Sequence, residues 1–138
     1  MPGEAPAQAP QPGQFVNAGG EPLDLAWLAA QAARSAYVLL GESHPSACDH
    51  QAQAKLIELM ALAGSPPVVG LEMVSLDRQI VLDRFNYGLI GVDELEAELD
   101  WDKTWGFSFA AYRPLFEVAQ AQKLPLFALN APREIARK

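Results

Sequence analysis

Short apolar runs alternate along this chain with stretches in which apolar residues return every three or four positions. The first run, Tyr37 to Leu40, stops at Gly41 and Glu42; a second, Val68 to Met73, carries Glu72 near its end; a third, Leu124 to Leu129, runs into Asn130. Each is too short for an ordinary helix and is rich in residues suited to a strand covered on both faces. Between the runs the period changes. Leu56, Leu59, Met60 and Ala63 share one face of a helix expected from about His50 to Ala63. Leu25, Leu28, Ala29 and Ala32 do the same after Asp24, a suitable N-cap, in a helix ending near Arg34 and Ser35. Further helices are expected over Leu76 to Tyr87, with Ile80, Val81 and Phe85 for burial, and over Val92 to Leu99 after Gly91. The last helix is expected to hold Pro114 in its first turn, to face Leu115, Val118 and Ala119 inward, and to end near Lys123.

Strand, helix and strand from Val38 to Met73 make a unit of roughly 35 residues, the size of a right-handed crossover between parallel neighbours. The expected fold is therefore α/β, a mostly parallel sheet with helices on both faces. Residues 1–14, with four of the eleven prolines, read as an extended, disordered Pro/Ala-rich leader, and residues 15–138 as the folded domain. Asn17-Ala18-Gly19-Gly20 is a turn signal that closes a small hairpin or a loop.

Composition narrows the function classes. With 50% hydrophobic and 20% charged residues the chain is globular, and its 138 residues suffice for one core. A net charge of -7 and scattered Lys and Arg argue against a nucleic-acid surface. The single cysteine, Cys48, excludes an internal disulfide and a CxxC motif. No segment approaches the apolar length of a membrane span, and the N-terminus lacks the pattern of a signal peptide.

What the pattern adds is convergence. The three strands end at Glu42 and His44, at Glu72, and at Asn130 and Arg133, and parallel strands deliver their carboxyl ends to one edge of a sheet, where ligands bind. Each residue also has an ordinary account, as a loop acceptor, a turn residue or a surface charge. His44 and His50 lie six apart, which is not the spacing of a helical zinc pair, and no HExxH, GxSxG, GxxxxGK[ST] or GxGxxG occurs. A divalent metal held by both histidines and a carboxylate is one alternative. A hydrolase of esterase or metalloprotease type, with His44 as general base and Glu42 or Glu72 orienting it, is another. The cluster Trp101, Trp105, Phe107 and Phe109 is of a kind more often core than cofactor box.

Several blocks in order resemble one family. Gly41-Glu42-Ser43-His44, Asp49-His50-Gln51, Gly70-Leu71-Glu72-Met73, Trp105 with Tyr112-Arg113-Pro114-Leu115, and Ala128-Leu129-Asn130-Ala131-Pro132-Arg133 look like those of the ChaN-like haem-binding proteins of the haem-binding-uptake/Tiki superfamily. That resemblance implies non-covalent haem binding in bacterial iron acquisition, without catalysis, by members that are often iron-regulated and lipid-anchored. It also implies a tyrosine as iron ligand and two haems stacked in a homodimer. Tyr112, His44, His50, Arg113, Asn130, Arg133 and Trp105 are the cofactor-binding residues it suggests. Tyr112 is preferred as iron ligand over His44, because a helix N-terminus favours a phenolate. The histidines are then partners of the haem propionates. The implied location is the cell envelope, facing the periplasm, if an export signal has been removed, and the cytoplasm otherwise. Family domains usually continue beyond the Asn-Ala-Pro-Arg block, so the expectation is a domain truncated after its third core strand or, at the limit, a non-functional fragment.

Overall fold

The structure is a computed structural model that describes Ala9, Gln11, residues 13–132 and Ile135. Most of the expected leader and Arg133 lie outside the described residues. The chain forms α1 (Leu25–Ala32), α2 (Ala47–Leu62), β1 (Val69–Ser75), a 3-10 turn (Leu76–Arg78), α3 (Gln79–Asn86), α4 (Val92–Glu98), α5 (Trp101–Thr104), α6 (Phe109–Gln122) and β2 (Leu126–Asn130). This is a small α/β fold, and β1 and β2 are parallel, with Val69 opposite Leu126 and Leu71 opposite Ala128. No helix among the described residues is long and apolar enough to cross a membrane.

Alternation along the strands sorts their side chains. Val69, Leu71, Leu126 and Ala128 enter the core with Leu82, Leu95, Trp101 and Phe116, whereas Phe127 and Leu129 stay exposed on the other face. Gly70 is needed there, because a Cβ would come 2.5 Å from Leu129 Cδ1. The outer edge of β2 is closed by side chains. Asn86 accepts from Leu126 N–H at 2.9 Å and donates to its carbonyl at 3.0 Å, and Gln79 accepts from Ala128 N–H at 2.8 Å. Two amides from α3 thereby occupy the hydrogen-bonding places of a neighbouring strand.

A smaller cluster of Ala29, Ala32, Leu56 and Met60 packs α1 on α2, and α2 in turn lies along α6. Asp24 caps α1 by accepting from Trp27 N–H at 2.7 Å. Asn17 closes the predicted turn, its Oδ1 accepting from Gly19 and Glu21, while Val16 bridges Pro22.

Four local expectations are corrected. Tyr37 to Leu40 is not in the sheet: Tyr37 and Leu39 are exposed, and the Leu40 carbonyl accepts from the Gln53 amide at 2.9 Å instead of from a strand. Helix α2 begins at Ala47, earlier than His50, because Ser46 caps it. Ile80 is exposed while Leu82, two positions on, is fully buried, since a 3-10 turn precedes α3 and shifts its inward face. Pro114 lies inside α6, not in its first turn. The stripe Phe109, Tyr112, Phe116 and Ala119 is buried as one face, and burying it outweighs the hydrogen bond that proline removes.

Candidate functional site

The loop after Leu40 is fastened to the first turns of α2 by that helix's own side chains. Ser46 Oγ accepts from Asp49 N–H at 3.3 Å, and the Asp49 carboxylate accepts from Ser43 N–H at 2.8 Å. His50 Nε2 donates to the His44 carbonyl at 3.0 Å. Asp49 is held below the ordinary carboxylate range, first by the Ser43 amide, then by the Ser46 hydroxyl and the nearby His50. These bonds leave Glu42 and His44 on a short arc whose shape is set by residues 46 to 53.

Glu42 is the hub of the arc, its side chain only 8% exposed. Its Oε1 accepts from His44 Nδ1 at 2.8 Å and from the Tyr112 hydroxyl at 2.7 Å. Its Oε2 lies 2.5 Å from Nδ1 of the fully buried His50, in a bent approach that neither atom supplements with another partner among the described residues. Among the described residues no group of three or more His, Cys, Asp or Glu side chains is placed to hold a metal ion, so the expected divalent-metal set of His44, His50 and a carboxylate is not assembled.

Tyr112, in the first turn of α6, brings the second element to the hub. Its ring lies 3.9 Å from that of His50 and 5.3 Å from that of Trp101, and the residue is fully buried. Burial, then the hydrogen bond to Glu42 and the charges of Glu42 and Glu72, push its hydroxyl well above the ordinary tyrosine value. The Trp105 indole N–H is turned toward that hydroxyl and offsets part of the push, without reaching a well-formed hydrogen bond. A carboxylate at 2.7 Å and the loss of water thus work against the help that a helix N-terminus gives to a phenolate.

His44 faces the other way. Its side chain is 36% exposed, and its ring sits 4.8 Å from Trp105 and 4.9 Å from Phe107. Nδ1 is held by Glu42, and Nε2 has no partner among the described residues. The α5–α6 turn sets the two flanking rings: Gly106, at φ +86, reverses the chain, and Trp101 Nε1 donates to the Phe107 carbonyl at 2.7 Å. A neutral imidazole oriented by a carboxylate is a common metal-binding arrangement.

The structure brings Glu42, His44, His50, Tyr112 and Trp105 together, with Glu72 near enough for its charge to act on Tyr112. Arg113, one residue and about 100° further round α6, turns away to pair with Asp93 and with Glu117 at 2.8 Å. Asn130 stays exposed opposite Ser75. Phe107 touches His44, a placement the sequence pattern does not reveal, because spacing cannot tell which ring of four faces a loop elsewhere in the chain. A hollow of about 250 Å³ lies by Phe15, Leu39, Leu40 and Leu56 and does not include His44.

No curated protein and no solved structure matches the chain. Residues 28–138 match the model of a family described as haem-binding uptake, Tiki superfamily, ChaN. That span contains the whole Glu42 hub and both strands, so the chain belongs to the ChaN family of the haem-binding-uptake, Tiki superfamily.

Proposed function

We propose that this protein binds haem non-covalently, in iron acquisition at the cell envelope, at the surface made by His44, Trp105 and Phe107. The observation that supports the reading is an outward imidazole, its Nδ1 fixed by buried Glu42, set between two aromatic rings in a chain of a haem-binding family. Haem sites combine apolar walls with few polar anchors and an axial ligand, and this surface offers both kinds of group. Two chains then face one another across stacked haems, as the family resemblance implies. Titrating the purified protein with ferric haem should give a saturable Soret change at one haem per chain, with a doubling of mass in sedimentation. A Soret change that only grows in proportion to added haem would refute the proposal.

The same Glu42 and His44 geometry also favours a second reading, a general base activating water on an ester or peptide. Turnover of a small ester that His44→Ala abolishes, in protein that does not take up haem, would select it.

A further inference from the structure

The two edges of the sheet are treated differently. Side chains of α3 close the outer edge of β2, while β1 has no strand on its other side among the described residues. We infer that two copies of this chain associate, without haem, by exchanging Tyr37 to Leu40, each segment lying as a further strand along the open edge of the other copy's β1.

Backbone direction defines that edge. Val69 N–H donates to the Pro125 carbonyl, and the register sets Leu71 opposite Ala128. Planar trans peptides in a parallel pair then turn the N–H and C=O of Gly70 and the N–H of Glu72 away from β2. Among the described residues no group bonds to them. Such an edge is a template for another strand. Tyr37 to Leu40 has the composition of a strand and lies outside every helix and strand, with Tyr37 89% and Leu39 93% exposed. Laid along β1, these two side chains share one face. On the bare face of the sheet they meet exposed Phe127 and Leu129, and Leu129 leans across Gly70 to reach the edge.

The chain's own segment is pinned at both ends. Ser35 bonds back to α1 through its N–H to Ala32 and its hydroxyl to Gln31, and the Leu40 carbonyl accepts from Gln53 while the Leu40 side chain packs against both core clusters. Reaching its own β1 would break one of these attachments, whereas a second copy can bring its edge to the exposed side chains with both intact. A buried tyrosine covers about 150–250 Å². With Leu39, the added backbone and the surface each covers, two segments together approach the roughly 1,200 Å² at which specific interfaces begin.

Sedimentation equilibrium of the haem-free full chain, from micromolar to near-millimolar concentration, should show a reversible monomer–dimer equilibrium. Leu39→Asp, at an exposed position, should leave the thermal midpoint unchanged and raise the dimer dissociation constant about 100-fold, a factor of about ten for each of two leucines. Hydrogen exchange should show the Gly70 and Glu72 amides fast in dilute protein and protected in concentrated protein, while the Leu126 and Ala128 amides, bonded within the chain, do not change. A monomer at every concentration, or a dimer that Leu39→Asp leaves intact, would overturn the proposal. So would protection of Gly70 and Glu72 at all concentrations, which would put the chain's own segment on the edge, and so would growth past the dimer, which reciprocal exchange does not allow.

Discussion

Replacing Tyr112 by phenylalanine keeps a fully buried ring and deletes one oxygen, so its effect reads chiefly the 2.7 Å bond to Glu42, with the longer 3.4 Å contact to the His44 carbonyl lost alongside it. A hydrogen bond to a charged acceptor contributes about 1.5–3 kcal/mol. Glu42 Oε1 still accepts from His44 after the change, so no charge is orphaned and the lower half of that range applies. At about 2 kcal/mol, a chain of this length should lose roughly 5–10 °C in Tm. The difference should also depend on pH. The folded state holds the Tyr112 proton above the ordinary value of 10.0, so above that pH the unfolded chain releases a proton that the folded chain keeps. Wild-type stability from this group is thus complete below pH 10 and falls beyond it by about 1.4 kcal/mol per pH unit. Tyr37 and Tyr87 are present in both proteins and cancel. Urea unfolding at pH 7, 10 and 11 should therefore show a gap between the proteins that is widest at pH 7 and narrows by about 1.4 kcal/mol at pH 11. Equal stability at pH 7, or a gap that does not change with pH, would refute the reasoning.

Two further outcomes follow from the scaffold. Asp49 is held below its ordinary value, so its stabilisation is full above about pH 4 and is lost as pH falls through the lower folded value; acid unfolding followed by circular dichroism should be steeper below pH 4 in wild type than in Asp49→Asn, and identical profiles would contradict this. Asn86→Ala should cost about 1–3 kcal/mol by leaving Leu126 N–H unpaired, and light scattering should reveal faster aggregation from the uncovered edge of β2.

The sequence carried the elements whose burial is local and periodic. The runs Val68 to Met73 and Leu124 to Leu129 hold the strands Val69–Ser75 and Leu126–Asn130, Val92 to Leu99 is a helix within a residue, and Asp24 caps α1. Tyr37 to Leu40 has the same composition as those strands, yet strand formation needs a neighbour, and composition does not report where the neighbour lies. Pro114 was read by a helix-start rule that the buried stripe of α6 overrides. In the site, Glu42, His44 and His50 were legible as a cluster because they fall within nine residues. The 70-residue step from Glu42 to Tyr112 was legible only as a resemblance of blocks. The direction of the Tyr112 hydroxyl was not legible at all, since it depends on which helix face packs against α2. Nor were Gln79 and Asn86 visible as edge closures, because polar residues on an amphipathic helix normally signal solvent.

The fastening of residues 40 to 46 onto the start of α2 has a dynamic consequence. First turns of helices fray more readily than their middles, and here the Ser46, Asp49 and His50 bonds that shape the arc all belong to that turn. One local opening of Ala47 to His50 would free the Ser43 amide and the His44 carbonyl together, below the free energy of global unfolding, while Tyr112 still holds Glu42. The amides of Asp49 and His50, bonded to Ser46, should exchange with solvent hydrogen at the same rate as the Ser43 amide.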